Sequence, residues 1–421
     1  MAVLLVVAVT FVVHDRSPAH QAGGDSIWTI HQSLSILEDH TFTLAGWRDV
    51  LEQHPGLNWH YNKHGHPVFD FPWGSALAST PIVGALAVKE KLAGRSLRAT
   101  IRGQLPLHEQ ENTVASVWVA LITGLLMLLA YRELQSLAAA TLVALLFAFA
   151  TSAFSTMSRA LWSHTTAAFF LALALVILQS ARLDGKRGER LLWLLGPVLV
   201  MAYACRPTMA VVAVALLVVV AKRHPRRLGG VLVAGAVSGG LYVLVNITTY
   251  GSVQSAYFSP GRLFGSPTFF EALAGNWISP NRGLLIWSPV LIFAAVGVVV
   301  ARRAGTFDVL HAAAVVAIIV HWVVISTLDP WFGGWTTGSR LFSEVLPLFV
   351  LLMLPAVDWL RRGSGAGVWA ARAAFGTLLL FSLFTNGRGG TRVETHAWNG
   401  TPDKPISSSR MWDWTDLQFL R

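Results

Sequence analysis

Ten runs of 14 to 20 predominantly apolar residues, separated by short segments that often carry arginine and lysine, restrict what this chain can fold into more than any other feature. They are 113–131, 137–153, 165–181, 191–205, 208–221, 228–246, 284–301, 309–327, 341–360 and 367–385. Crossing a hydrocarbon layer takes roughly 20 apolar residues in a helix, because backbone groups left unpaired in lipid are too costly for any other open structure. A shorter run, 2–13 (AVLLVVAVTFVV), opens the chain. No cation precedes it, so a signal peptide fits poorly, and it is expected to be a first helix whose true start lies upstream. The expected fold class is all-α, a polytopic integral membrane protein with about 11 transmembrane helices in a single domain, 1–421.

Composition agrees with lipid as the solvent: 54% of the 421 residues are hydrophobic, 13% are charged, and the mean hydropathy is +0.54. The lone cysteine, Cys205, excludes an internal disulfide framework and a multi-cysteine metal cluster. A net charge of +10 could point to nucleic acid, but the placement of the charges explains it otherwise. Cations gather at Arg182, Lys186, Arg187 and Arg190, at Lys222, Arg223, Arg226 and Arg227, at Arg302 and Arg303, and at Arg361 and Arg362, after every second span. Short basic loops stay cytoplasmic, so no nucleic-acid partner is expected and the alternation acquires a direction.

The segments 153–164, 204–208, 247–283 and 328–340 are then extracytoplasmic, as are the long loop 14–112 and the tail 386–421. This requires 74–88 (GSALASTPIVGALAV) to be re-entrant or interfacial, because a crossing there would invert everything downstream; Pro81 agrees. Tryptophans fall mostly in the outer segments. An aromatic belt should be found at both interfaces, so this bias also suits a surface that stacks on sugar rings.

Candidate chemistry lies on that side. Gly24-Asp25-Ser26-Ile27-Trp28 follows the first helix and precedes an amphipathic stretch, SLSILEDHTFTL. A carboxylate there suits a general base that meets an acceptor from water and a donor from lipid. The same loop is rich in histidine, but only His64-x-His66 with Asp70 resembles a metal site, and ordinary surface roles are the better reading. The segment 327–344 (TLDPWFGGWTTGSRLFSE) combines glycines that allow close backbone approach, Trp331 and Trp335 as stacking faces, and Arg340 at the outer end of a span. Arg340 defies the charge rule, and its fork matches phosphate oxygens; the alternative is snorkelling, or a pair with Glu344 one turn on. Arg282 in SPNRG, and more weakly Arg206 and Arg159, raise the same question.

In their order, GDS with SLSILEDHTFTL, the Tyr61 to Pro81 stretch with PWGSALASTP, SPNRGLLIWSP and WFGGWTTGSR make the chain resemble the polytopic lipid-linked sugar transferases of the C-class glycosyltransferase fold. These are the polyprenyl-phosphate-dependent superfamily of protein mannosyltransferases and aminoarabinose transferases, and the chain looks like a bacterial member. The resemblance implies a membrane glycosyltransferase in the bacterial plasma membrane, with its active face extracytoplasmic and a polyprenyl-phosphate-linked sugar and membrane lipid as partners. It makes Asp25 the base, and Arg340, then Arg282, Arg206 and Arg159, the ligands of the donor phosphate. Trp28, His64, His66, His164, Trp331, Trp335 and Glu344 are the substrate-binding candidates. Many relatives place a second carboxylate where this chain has His164, which weakens any metal bridge; no metal ligand is assigned, and a divalent cation stays open. A lipid-linked-sugar transporter and a non-catalytic scaffold are the competing readings, and a large separation of Asp25 from Arg340 would favour the scaffold.

Overall fold

The structure is a computed structural model and describes residues 1–255, 257 and 267–421; part of the segment 247–283 thus lies outside the described residues. Each of the eleven apolar runs coincides with helix. Among the described residues, seven helices are long and apolar enough to cross a membrane: His108–Leu134, Ser163–Leu183, Gly185–Cys205, Pro225–Tyr250, Val309–Ser326, Arg340–Arg362 and Ala366–Thr391. Shorter apolar helices, Ala2–Asp15, Leu137–Phe149, Ala210–Arg223 and Phe293–Arg303, account for the remaining runs. The protein is a polytopic, nearly all-helical membrane protein.

Burial ranks the helices. Arg340–Arg362 is the central one, with 89% of its apolar window buried, whereas Pro225–Tyr250 and Ala366–Thr391 bury 11% and 17% and form the periphery. A peripheral helix in lipid needs no apolar neighbour, so its hydrophobic residues stay exposed without cost. The run 284–301 is broken at Ser288-Pro289, because proline donates no hydrogen bond and its ring obstructs the preceding turn. Neighbouring side chains take up the freed groups: Asn386 Nδ2 donates to the Trp287 carbonyl at 2.7 Å, and the Val290 amide donates to Ser382 Oγ at 3.2 Å.

One end of the bundle carries the long loop. Helix Thr29–Glu38 packs on helix Gly74–Leu92, with Ser33 Oγ donating to the Ala76 carbonyl at 2.9 Å. Only the first part of SLSILEDHTFTL is helical; the chain turns at His40, which has a φ of 53°. A two-stranded antiparallel hairpin, Trp59–Tyr61 with Pro67–Phe69, pairs Trp59 with Phe69 and Tyr61 with Pro67. The loop has its own core of Trp28, Ile30, Leu34, Trp47, Leu51 and Phe69, which fixes the segment bearing Asp25 against the bundle.

Candidate active site

Two glycines with positive φ, Gly23 at 139° and Gly24 at 49°, turn the chain sharply in the segment after the first helix, beside Asp25. Arg340 meets it from the opposite side, at the start of the central helix. Its Nη2 is ion-paired with Asp25 Oδ2, its Nη1 donates to the Gly333 carbonyl at 3.1 Å, and its Nε donates to His164 Nε2 at 3.1 Å. The guanidinium lies 3.8 Å from the centroid of the Trp162 ring, a distance at which the negative face of the indole attracts it.

Because His164 Nε2 accepts from Arg340, the ring proton is assigned to Nδ1, which faces Glu344 Oε2 in close contact. The other Glu344 oxygen accepts from Arg206 Nε at 2.7 Å and from Thr208 Oγ1 at 2.9 Å, with His321 Nε2 3.7 Å away. Glu344 is fully buried, so this ring of donors supplies the partners without which a buried charge is not tolerated. The result is a continuous line, Asp25, Arg340, His164, Glu344, Arg206, in which two carboxylates oppose two guanidiniums.

A cavity of about 150 Å³ opens against this line, lined by Asp25, Arg206, Tyr257, Leu328, Asp329, Pro330, Gly333, Gly334, Arg340 and Leu341. Burial alone would raise the Asp25 carboxyl. The adjoining Arg340 guanidinium outweighs it, helped by Arg206 and His164, and holds the group below the ordinary carboxylate value. Gly333 and Gly334, both at φ 72°, let the wall run in a left-handed conformation closed to most side chains.

The structure thus brings together Asp25, Arg340, Arg206, His164 and Glu344. It does not pair Arg340 with Glu344. Residues Arg340–Val345 form a 3-10 turn with three residues per turn, so positions 340 and 344 point apart. Arg159 is buried elsewhere, its fork donating to the carbonyls of His14, Ser17 and Ala19 and to Ser158 Oγ. Arg282 is held by Asn281, Gln418, Asn399, Phe332 and Gly334. Trp28 is a core residue whose Nε1 donates to the Leu57 carbonyl at 2.6 Å. His64 and His66 are exposed on the hairpin turn. Trp331 is buried with its Nε1 on Ser408 Oγ at 2.7 Å, while Trp335 is 58% exposed.

Sequence reasoning missed Trp162, Thr208, His321 and Asp329. His321 had a signal: an ionisable residue inside the span Val309–Ser326 is uncommon and should have been taken as a pointer to the site. Among the described residues, no group of three or more His, Cys, Asp or Glu is placed to hold a metal ion.

No protein-family model matches the chain, and no curated protein matches it either. A solved structure does: the crystal structure of ArnT from Cupriavidus metallidurans bound to undecaprenyl phosphate aligns with a TM-score of 0.58. The alignment covers 97% of this chain and 67% of that one, at 17% identity. The fold is that of ArnT. The resemblance read from the sequence therefore holds at the level of architecture, and the ArnT fold accounts for nearly the whole length of the chain.

Proposed function

We propose that the protein is a membrane glycosyltransferase that moves a sugar from a polyprenyl-phosphate donor to an acceptor at the extracytoplasmic face of a bacterial plasma membrane. The observation that carries this reading is the contact of Asp25 with Arg340 at the wall of a cavity. It joins a base and a phosphate-binding fork, and it speaks against the scaffold, which called for the two to be apart. An apolar groove of about 580 Å³ supports a lipid-linked donor: Ala210, Val211, Val214, Val218, Val309, Val316 and Val320 are among the residues that line it, between helices Ala210–Arg223 and Val309–Ser326. One end of the groove adjoins the site, since Ala210 follows Thr208-Met209 and Val320 precedes His321. A chain of isoprene units laid there would bring its phosphate to Arg206 and Arg340.

In this reading Asp25 and Arg340 neutralise each other until the donor enters. The donor phosphate then shares the guanidinium, which loosens its hold on Asp25 and raises the proton affinity of that carboxylate. The acceptor hydroxyl gives its proton to Asp25 as its oxygen bonds to the anomeric carbon. The bond from that carbon to the phosphate oxygen breaks, and its electron pair leaves with the phosphate, beside Arg340. Inversion follows from this single displacement. One base and a preorganised cation suffice, because the leaving group is already good. The test is to incubate purified protein with a panel of undecaprenyl-phosphate sugars and measure donor consumption. Loss of turnover in Asp25→Asn with the fold retained is expected; full turnover in that variant would refute the assignment.

A further inference from the structure

The loop that carries the Gly333 carbonyl is gripped twice. Three successive carbonyls, those of Phe332, Gly333 and Gly334, accept from Arg282, Arg340 and again Arg282, at 3.3, 3.1 and 3.4 Å. Arg282 is in turn fixed by the C-terminal segment: its Nη1 donates to Gln418 Oε1 and its Nη2 to Asn399 Oδ1, both at 2.7 Å. The same two amides bind the loop directly. Asn399 Nδ2 and Gln418 Nε2 each donate to the Thr336 carbonyl at 2.9 Å, and the Gly338 amide reaches Gln418 Oε1 at 3.3 Å.

Arg282 is 2% exposed, and its Nε, Nη1 and Nη2 all face neutral oxygens of the protein, the fifth being the Asn281 carbonyl at 2.7 Å. Taking a guanidinium out of water in this way is unfavourable unless its donors are satisfied, and here the fork geometry meets five acceptors that a lysine ammonium could not span. None of its nitrogens is left over for a ligand. Arg282 also does not line the cavity that Asp25 and Arg340 share.

We infer that Arg282, together with Asn399 and Gln418, is a positioning group that sets Arg340 through the 332–338 loop and does not touch the donor phosphate. The inference rests on the reading that Arg340 receives that phosphate. It makes the C-terminal segment part of the site although it contributes no side chain to the cavity.

The experiment uses full-length protein in detergent carrying Arg282→Lys, Asn399→Ala or Gln418→Ala, with undecaprenyl phosphate as the binding probe and amide hydrogen exchange over 331–341 as a second readout. Each variant is expected to weaken undecaprenyl phosphate binding by about tenfold and to speed exchange in that loop at least tenfold, with unchanged exchange in helix Ser163–Leu183. Asn399→Ala, the mildest truncation, serves if Arg282→Lys fails to fold. Wild-type affinity in Asn399→Ala and Gln418→Ala alongside a loss confined to Arg282→Lys would mean that Arg282 meets the phosphate directly, and would overturn the inference. If the unaltered protein does not bind undecaprenyl phosphate, the donor reading fails on its own; the exchange data still decide whether the clamp exists, and unchanged exchange sinks it.

Discussion

Asp25 is under opposing influences: burial favours its proton, and Arg340 opposes it. The net depression gives a signed expectation. The ion pair contributes stability above the ordinary carboxylate range, and that contribution fades only as pH falls through the lower value of the folded protein. For turnover, Asp25→Asn should lose on the order of 10³-fold, within the range that a positioned general base supplies, measured as donor consumption. Glu344 belongs to the fold as much as to the site. Glu344→Ala leaves Arg206 buried without its counter-charge and should cost about 3–5 kcal/mol, read as a large drop in the thermal midpoint. His31 supplies a separate pH dependence. Burial between the rings of Trp28 and Trp47 pushes its imidazole down to about 3, so it stays neutral in the fold while the unfolded chain takes up a proton below about 6.5. Stability should therefore decline as pH falls from about 6.5 toward 3, at up to ~1.4 kcal/mol per unit from this residue, and His31→Phe should flatten the profile of thermal midpoint against pH.

At the scale of elements, the apolar groove between helices Ala210–Arg223 and Val309–Ser326 carries the sharpest expectation. Val214 and Val316 are 63% and 55% exposed along it. Val214→Trp combined with Val316→Trp should reduce undecaprenyl phosphate affinity more than tenfold in a displacement assay, while a ten-carbon isoprenyl phosphate, too short to fill the groove, loses little. Equal losses for both lipids would place the chain elsewhere. The helices themselves were legible in the sequence, because a long apolar run in lipid has one stable conformation and the decision is local. The partners of the charged residues were not. Asp25 and Arg340 are 315 residues apart and Arg282 and Gln418 are 136 apart, so both pairings depend on how helices assemble rather than on spacing. Arg340 stands out in the sequence because it breaks a charge rule. Glu344 stands out as its partner at helical spacing, a pair that the 3-10 turn at Arg340–Val345 prevents.

For the whole molecule the open expectation is direction. Cys205 is buried, close to the backbone of Gly74, and would not report on sidedness by labelling. In a Cys205→Ala background, Trp335→Cys and Arg303→Cys place exposed thiols at the site end and at a basic loop. An impermeant maleimide should label the first in intact cells and the second only after permeabilisation; the reverse pattern would invert the topology.

The contact of Asp25 with Arg340 has an electrical consequence in the proposed transfer. The line from Asp25 to Arg206 starts with its two carboxylates balanced by its two guanidiniums, with Asp329 on the cavity wall outside it, and a phosphodiester adds one negative charge. When the bond breaks, Asp25 gains a proton while the departing phosphate gains a charge, so the total within the cavity does not change. What moves is the centre of negative charge, from one flank of Arg340 to the other. A guanidinium wedged over Trp162 and tethered at Gly333 and His164 can remain in place while this happens, and the step then demands little rearrangement of the surrounding water.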